Sequence, residues 1–269
     1  MASSNRVAVV GYAQSEVQRH ADSSLGALTT ETARAAIADA GLMVADVDGF
    51  VTASLFPTAG AHAAVDGVSL VSANWLAGHL GVNPSYAAGF QGFGQLPGAV
   101  AMAVNAIVSG AADYVLVHRA LHNPTGSYHA NPMTEARGDQ QWTVPQGYFG
   151  PLAMVALPYT EYLQRYGATR DAMAAVVSEA RKNGARIPWS YWYGRPLQTE
   201  DYLSDSLITD PICRLDCDIP VDGVACFLFT SAERARDLPH RPVYVAGYAT
   251  GDANIQNCTK NGTTYFTSR

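Results

Sequence analysis

Residues 103–120 read AVNAIVSGAADYVLVHRA, and the change of rhythm inside this stretch decides the class of fold. Up to Ser109 it suits a helix, one that begins near Pro97 because proline is tolerated in a first helical turn, where its missing N–H is not needed. Gly110 ends that helix, and Asp113 to His118 (DYVLVH) follows as a buried strand. The same alternation stands upstream. Arg6 to Gly11 (RVAVVG) is an almost continuous apolar run closing on glycine, the pattern of a strand buried on both faces in the middle of a sheet. Ser24 to Gly41 sets Leu25, Leu28, Ala33, Ala36, Ile37 and Ala40 on one helical stripe, with Gly41 as its stop. A short turn holding Asp46 and Asp48 leads into a second strand, Gly49 to Ala53. Two strand, helix, strand units predict a layered α/β sheet with right-handed crossovers.

Between these units, Trp75 to Val82 reads as a short helix and loop. Tyr86 to Gly98 (YAAGFQGFGQLPG), with Gly89, Gly92, Gly94 and Gly98, reads as a tight turn feeding the helix. Downstream, residues 119–210 change character, becoming rich in Pro, Tyr, Trp, Asn and Gln. One clear helix stands there, Thr169 to Asn183, capped by Thr169 and closed at Gly184. The sheet pattern returns at Gly223 to Thr230 (GVACFLFT), followed by a helix from Ser231 to Asp237 and a strand from Pro242 to Tyr248. Beyond Gly251 the sequence turns polar.

Composition narrows the function classes. The chain has 269 residues, 48% of them apolar and 15% charged, as expected for a globular protein with one large or two small domains. Its net charge of -6 and the lack of any run of basic residues speak against nucleic acid or an anionic membrane as partner. No apolar stretch approaches the roughly 18 residues that a bilayer span requires. Four cysteines, Cys213, Cys217, Cys226 and Cys258, form no CxxC pair, and no leader stands at the amino terminus, so a reduced, cytoplasmic setting is expected.

The glycine-rich turn carries the clearest chemistry. Successive backbone N–H groups there, reinforced by the positive end of the helix dipole, suit an anion such as a thioester oxyanion. The same glycines also suit tight packing alone. His118, His122 and His129 flank the insertion without the glutamate of a zinc helix motif, so no metal is expected. His240 reads as a solvated turn residue. Cys217 and Cys226 read as buried structural thiols, and Trp189 to Tyr193 (WSYWY) as either pocket lining or aromatic packing.

AVNAIVSGAADYVLVHRA resembles the thiolase superfamily, with its helix ending in A-I-x-S-G before A-D and a buried strand. SLGALTTETARAAIADAGL followed by DVDGFV, and LDCDIPVDGVACFLFTSAERARDL, are similar to further elements of the amino-terminal half. YFGPLAMVALPYTEYLQRYGATRDAMAAVVSEARKNGARIP and YGRPLQTEDY resemble its lipid-transfer-protein branch, related to sterol carrier protein thiolases, in which steroid side-chain-cleaving aldolases lack the thiolase cysteine. Counting back from Ile107, the family's reactive cysteine falls within Gly92, Phe93, Gly94 and Gln95, where this chain has none.

The resemblance implies an α/β, thiolase-like layered fold. Its amino-terminal half would span 1–118 and 211–250, with an inserted loop domain at 119–210 and a polar tail at 251–269 leading toward a carboxy-terminal half absent from this chain. It implies a lyase: retro-aldol cleavage of a bulky β-hydroxyacyl-CoA, such as a steroid side chain, with the oxyanion hole at Gly92, Phe93, Gly94 and Gln95. Tyr265, in TTYFTSR, takes the role of a catalytic proton donor. Arg170, Arg181 and Arg186 are the candidates for the CoA nucleotide, since guanidinium pairs well with phosphate. No cofactor is expected beyond CoA as part of the substrate. A homodimer and an accessory protein with an OB-fold and a zinc ribbon are the implied partners. A thiolase-type acyltransferase and an acyl-CoA-binding scaffold are the alternatives.

Overall fold

A computed structural model describes residues 6–53, 68, 70–90, 95–122, 135–138, 140–148 and 150–248. The chain divides into two compact units, one formed by residues 1–126 and 220–250 and the other centred on 127–219.

In the first unit, β1 (Val7–Gln14), α1 (Leu25–Asp39), β2 (Gly49–Thr52), α2 (Ala73–Leu80), β3 (Tyr86–Gly89), α3 (Gln95–Ser109) and β4 (Tyr114–Leu121) follow in chain order. The second unit contributes α4 (Gln140–Thr143), α5 (Gly150–Tyr166), α6 (Arg170–Gly184), α7 (Thr199–Ser204) and a ribbon of β5 (Leu207–Thr209) and β6 (Ile212–Cys213). The chain then returns to the first unit as β7 (Gly223–Ser231) and β8 (Val243–Tyr244).

The large sheet runs in the order β3, β2, β4, β7, β1, β8. β2 is parallel to both β3 and β4, whereas β7 is antiparallel to both β4 and β1. The expected layered α/β sheet is present, but β7 lies between β4 and β1, antiparallel to both, and makes the sheet mixed. Alternation along the strands supplies two cores. Ala8, Val10, Phe50, Leu116 and Leu228 meet α1 and α2 on one face, and Val7, Val51, Val115, Val117 and Phe229 meet α3 on the other. With helices on both faces, β2 is buried throughout. Gly11 lets α1 close on β1, because a Cβ there would meet Ala36 O and lie 3.0 Å from the Ala40 methyl.

Several local expectations change. Tyr86 to Gly89, read as turn, is an edge strand; alanine and glycine have weak strand propensity, and parallel pairing with β2 decides the matter. The strand expected to end at Thr230 runs to Ser231, and the helix after it shrinks to a single 3-10 turn at Arg234–Asp237. The strand expected over Pro242 to Tyr248 is only Val243–Tyr244. Where the sequence showed one clear helix, the second unit also has the 17-residue α5, whose pattern is obscured by an internal Pro158.

The amino ends of the parallel strands are tied at Asp48. Its carboxylate accepts from Asp113 N at 2.9 Å, Tyr114 N at 2.8 Å and Ser85 Oγ at 3.3 Å, and its carbonyl accepts from Ser85 N at 2.8 Å. The second unit is built around a polar centre. Tyr202, fully buried, donates its hydroxyl to Asp216 Oδ1 at 2.5 Å, and Asp216 Oδ2 accepts from Cys213 N at 2.8 Å.

Candidate functional site

Ligands of open α/β sheets gather at the carboxyl ends of the parallel strands. Here β2 and β3 end side by side at Thr52 and Gly89, level with His118, β4 runs on to Leu121, and α3, returning over the sheet, begins at the same edge. Phe90 N donates to Thr52 O at 3.0 Å, and the Phe90 ring lies where any Cβ on Gly98 would collide with it. Gly98 therefore seats the first turn of α3 against the sheet. Gln95 opens α3, while Gly92, Phe93 and Gly94 lie outside the described residues, as does Tyr265.

On the face of the sheet toward α1 and α2, Thr52, His118 and Cys226 stand in register across β2, β4 and β7. His118 is fully buried, with Nε2 3.0 Å from Val71 O. A carbonyl only accepts, so Nε2 carries the proton and Nδ1 is left as an acceptor without a partner. Burial pulls the imidazole pKa down to about 4, which keeps the ring neutral at pH 7. On the α3 face, Val115 and Val117 are followed by Arg119, opposite Ala225 of β7. Arg119 Nε is shut off from solvent and has no hydrogen-bond partner. Farther along, the Tyr12 ring tilts against Phe227 at 5.0 Å and its hydroxyl donates to Gln14 Oε1 at 2.6 Å.

The same edge is braced by His122 and Asp222, whose Nδ1 and Oδ1 are 2.8 Å apart with the carboxylate 1% exposed. Asp222 also accepts from Ala21 N at 2.5 Å. It is the aspartate of the D-G-x-A element, and its work here is to join three segments of chain. His240, read as a solvated turn residue, is 56% exposed and lies 3.1 Å from Asp39 Oδ1.

In the second unit, Arg170 opens α6, with its guanidinium 5.0 Å over the Tyr202 ring, one N–H donating to Tyr202 O at 3.5 Å, and Nε buried without a partner. Arg181 lies 3.1 Å from the centroid of the Trp192 ring, and burial lowers its pKa. Eleven residues of helix set Arg170 and Arg181 on one face, roughly 16 Å apart. Arg186 follows the end of α6 and is exposed. Of the aromatic run, Tyr191 packs edge-on to Trp192 at 4.9 Å, while Trp189 and Tyr193 are more than half exposed.

Burial raises the thiol pKa of Cys213, Cys217 and Cys226, and Cys226 is enclosed in β7. Cys258 lies outside the described residues. Among the described residues no three or more His, Cys, Asp or Glu side chains form a group able to hold a metal ion, and no helix is long and apolar enough to cross a membrane. Sequence reasoning passed over Arg119 and the orphaned nitrogen of His118; the available signal was a His-Arg pair at the carboxyl end of a buried strand.

No protein-family model matches the chain. It is 31% identical to the steroid side-chain-cleaving aldolase of Thermomonospora curvata over 97% of its own length and 65% of that protein. It is also 31% identical to the 17-hydroxy-3-oxo-4-pregnene-20-carboxyl-CoA lyase of Mycobacterium tuberculosis, over 92% of this chain and 63% of that protein. The solved Ltp2-ChsH2(DUF35) aldolase superposes with a TM-score of 0.78 at 30% identity, covering 93% of this chain and 62% of that one. The chain therefore spans a little under two thirds of the length of the relatives it matches.

Proposed function

We propose that this chain, which belongs to the thiolase superfamily and resembles its lipid-transfer-protein branch, is the amino-terminal part of a carbon-carbon lyase that cleaves a bulky β-hydroxyacyl-CoA. The observation that carries the reading is the likeness, over 97% and 92% of this chain, to the steroid side-chain-cleaving aldolase and the pregnene-carboxyl-CoA lyase, in a chain with no cysteine before Cys213. A thiolase-type acyltransferase needs a thiolate at the turn before α3. The nearest candidate in the first unit, Cys226, is enclosed in β7 with its thiol pushed up by burial.

Retro-aldol chemistry needs no such nucleophile. The β-hydroxyl gives up its proton, the bond between the α and β carbons breaks, and its electron pair moves onto the thioester oxygen as an enolate. Protonation of that enolate at carbon releases an acyl-CoA beside a ketone. In this reading the turn Gly92, Phe93, Gly94 and Gln95 holds the enolate oxygen, and Tyr265 supplies the proton or a hydrogen bond. No metal or further cofactor takes part, CoA entering only with the substrate. Arg170, Arg181 and Arg186 serve the nucleotide end, Arg181 with Trp192 stacked beneath it. A ketosteroid is the product expected from a steroid side chain.

The complete protein would work in the cytoplasm as a homodimer, beside an accessory protein carrying an OB-fold and a zinc ribbon. The partner reading is supported by the aldolase complex that the chain matches in structure. Mass-spectrometric product analysis with a panel of β-hydroxyacyl-CoA esters tests the reaction. Ketone release that survives thiol alkylation is expected; activity lost in step with labelling of Cys217 or Cys226 would replace the lyase with an acyltransferase.

A further inference from the structure

Val115, Val117 and Arg119 occupy alternate positions of β4, and the two valines are fully buried against α3. Alternation carries Arg119 onto the same face. It stands one residue past the end of β2, whose last residue Thr52 is in register with His118. Across the sheet its row continues to Ala225 and then to Gln14, so the neighbouring side chains in that row are a methyl group and a carboxamide. No carboxylate among the described residues forms an ion pair with it.

Arg119 Nε is closed to water and donates to nothing. The side chain as a whole is only half-buried, so its charge still reaches the edge of the sheet, but an N–H kept from both water and an acceptor is costly and rarely retained without use. The 15-residue α3 adds to the imbalance, because its amino terminus, the positive end of its dipole, lies at the same edge and on the same face of the sheet. The edge is thus set to receive a negatively charged oxygen.

We infer that Arg119 is a catalytic residue that donates to the thioester oxygen as it becomes the enolate oxygen, an assignment that rests on the lyase reading. Charge on that oxygen grows as the carbon-carbon bond breaks, so a guanidinium at this edge lowers the barrier more than it tightens substrate binding. A phosphate of CoA offers the same anionic chemistry, but a contact there would act on binding alone.

The experiment compares wild type, Arg119→Gln and Arg119→Lys in the complete protein, with acetoacetyl-CoA as probe because its enolate has its own near-ultraviolet band. Wild type should draw the bound probe toward the enolate. Arg119→Gln should cut the enolate fraction at least ~10-fold and turnover of a β-hydroxyacyl-CoA by ~10²-fold, with KM changed less than about threefold. Arg119→Lys should fall between the two, and it carries the test if the glutamine variant does not fold.

An enolate band of wild-type strength in Arg119→Gln, or no band in wild type, overturns the assignment. So does a raised KM with unchanged turnover, which would place the guanidinium on a phosphate. A wild-type band that depends on Arg119, in a protein releasing no ketone from any ester of the panel, would keep the enolate contact and sink the lyase reading instead.

Discussion

The two ends of the parallel strands in the first unit are finished differently. At the amino ends, Asp48 gathers two backbone N–H groups and a serine hydroxyl, all within 3.3 Å. At the carboxyl ends, His118 keeps a buried nitrogen and Arg119 a buried N–H without any partner. Satisfied polar groups lock one end of the sheet, while the other holds hydrogen-bonding capacity that the described chain does not use. Local rules tend to be broken where a protein acts, so the contrast separates the end that stabilises from the end that works.

The contrast is open to attack by mutation. Asp48→Ala removes acceptors from three donors and should cost about 3–4 kcal/mol of unfolding free energy. Urea denaturation at pH 7 measures it, and a loss below about 1 kcal/mol would show that the amino ends are not where the sheet is locked.

His118 gives the opposite end its own signature. Its folded pKa of about 4 lies below its ordinary 6.5, so the unfolded chain binds the proton first and stability falls as pH drops from 6.5 toward 4. The loss should reach about 3 kcal/mol at pH 4 and largely vanish in His118→Gln, as urea denaturation of both proteins at pH 7 and 4 would reveal. Equal acid sensitivity in the two would remove His118 from the comparison.

Tyr265→Phe keeps the ring and deletes one hydroxyl. If that hydroxyl serves the carboxyl ends, turnover of the complete enzyme should fall ~10²-fold with the melting temperature unchanged. Near-normal turnover would leave proton transfer at this edge to another group. The smallest expected effect lies in the second unit, where Arg181→Gln should raise KM ~10-fold, about 1.4 kcal/mol, with turnover within roughly twofold. Steady-state kinetics separates this from a change at the reacting centre, which would lower turnover.

Legibility in the sequence followed the range of the interactions involved. The stop at Gly41, the buried run DYVLVH and the helix closing at Ser109 are local patterns, and each has a counterpart in α1, β4 and α3. The place of β7 between β4 and β1 is fixed by pairing across more than a hundred residues, which no local rhythm records. Asp48 was visible as a turn residue, but its partners Asp113 and Tyr114 lie 65 and 66 residues away. The missing cysteine could be read directly. No local pattern marked out Arg119, because its significance comes from an Nε closed to water and the absence of an acceptor.

The insertion of β7 also sets a timetable for synthesis. Among the described strands β1 pairs with β7 and β8, and Val7 meets Ser231. A ribosome adding roughly 5–20 residues per second leaves about 11–45 s between making the two. Throughout that interval the apolar run VAVVGYAQ has both strand edges unpaired. The nascent chain is therefore exposed to wrong strand pairing at β1, and a chaperone that shields β1 until β7 emerges should raise the yield of folded protein more than one acting later.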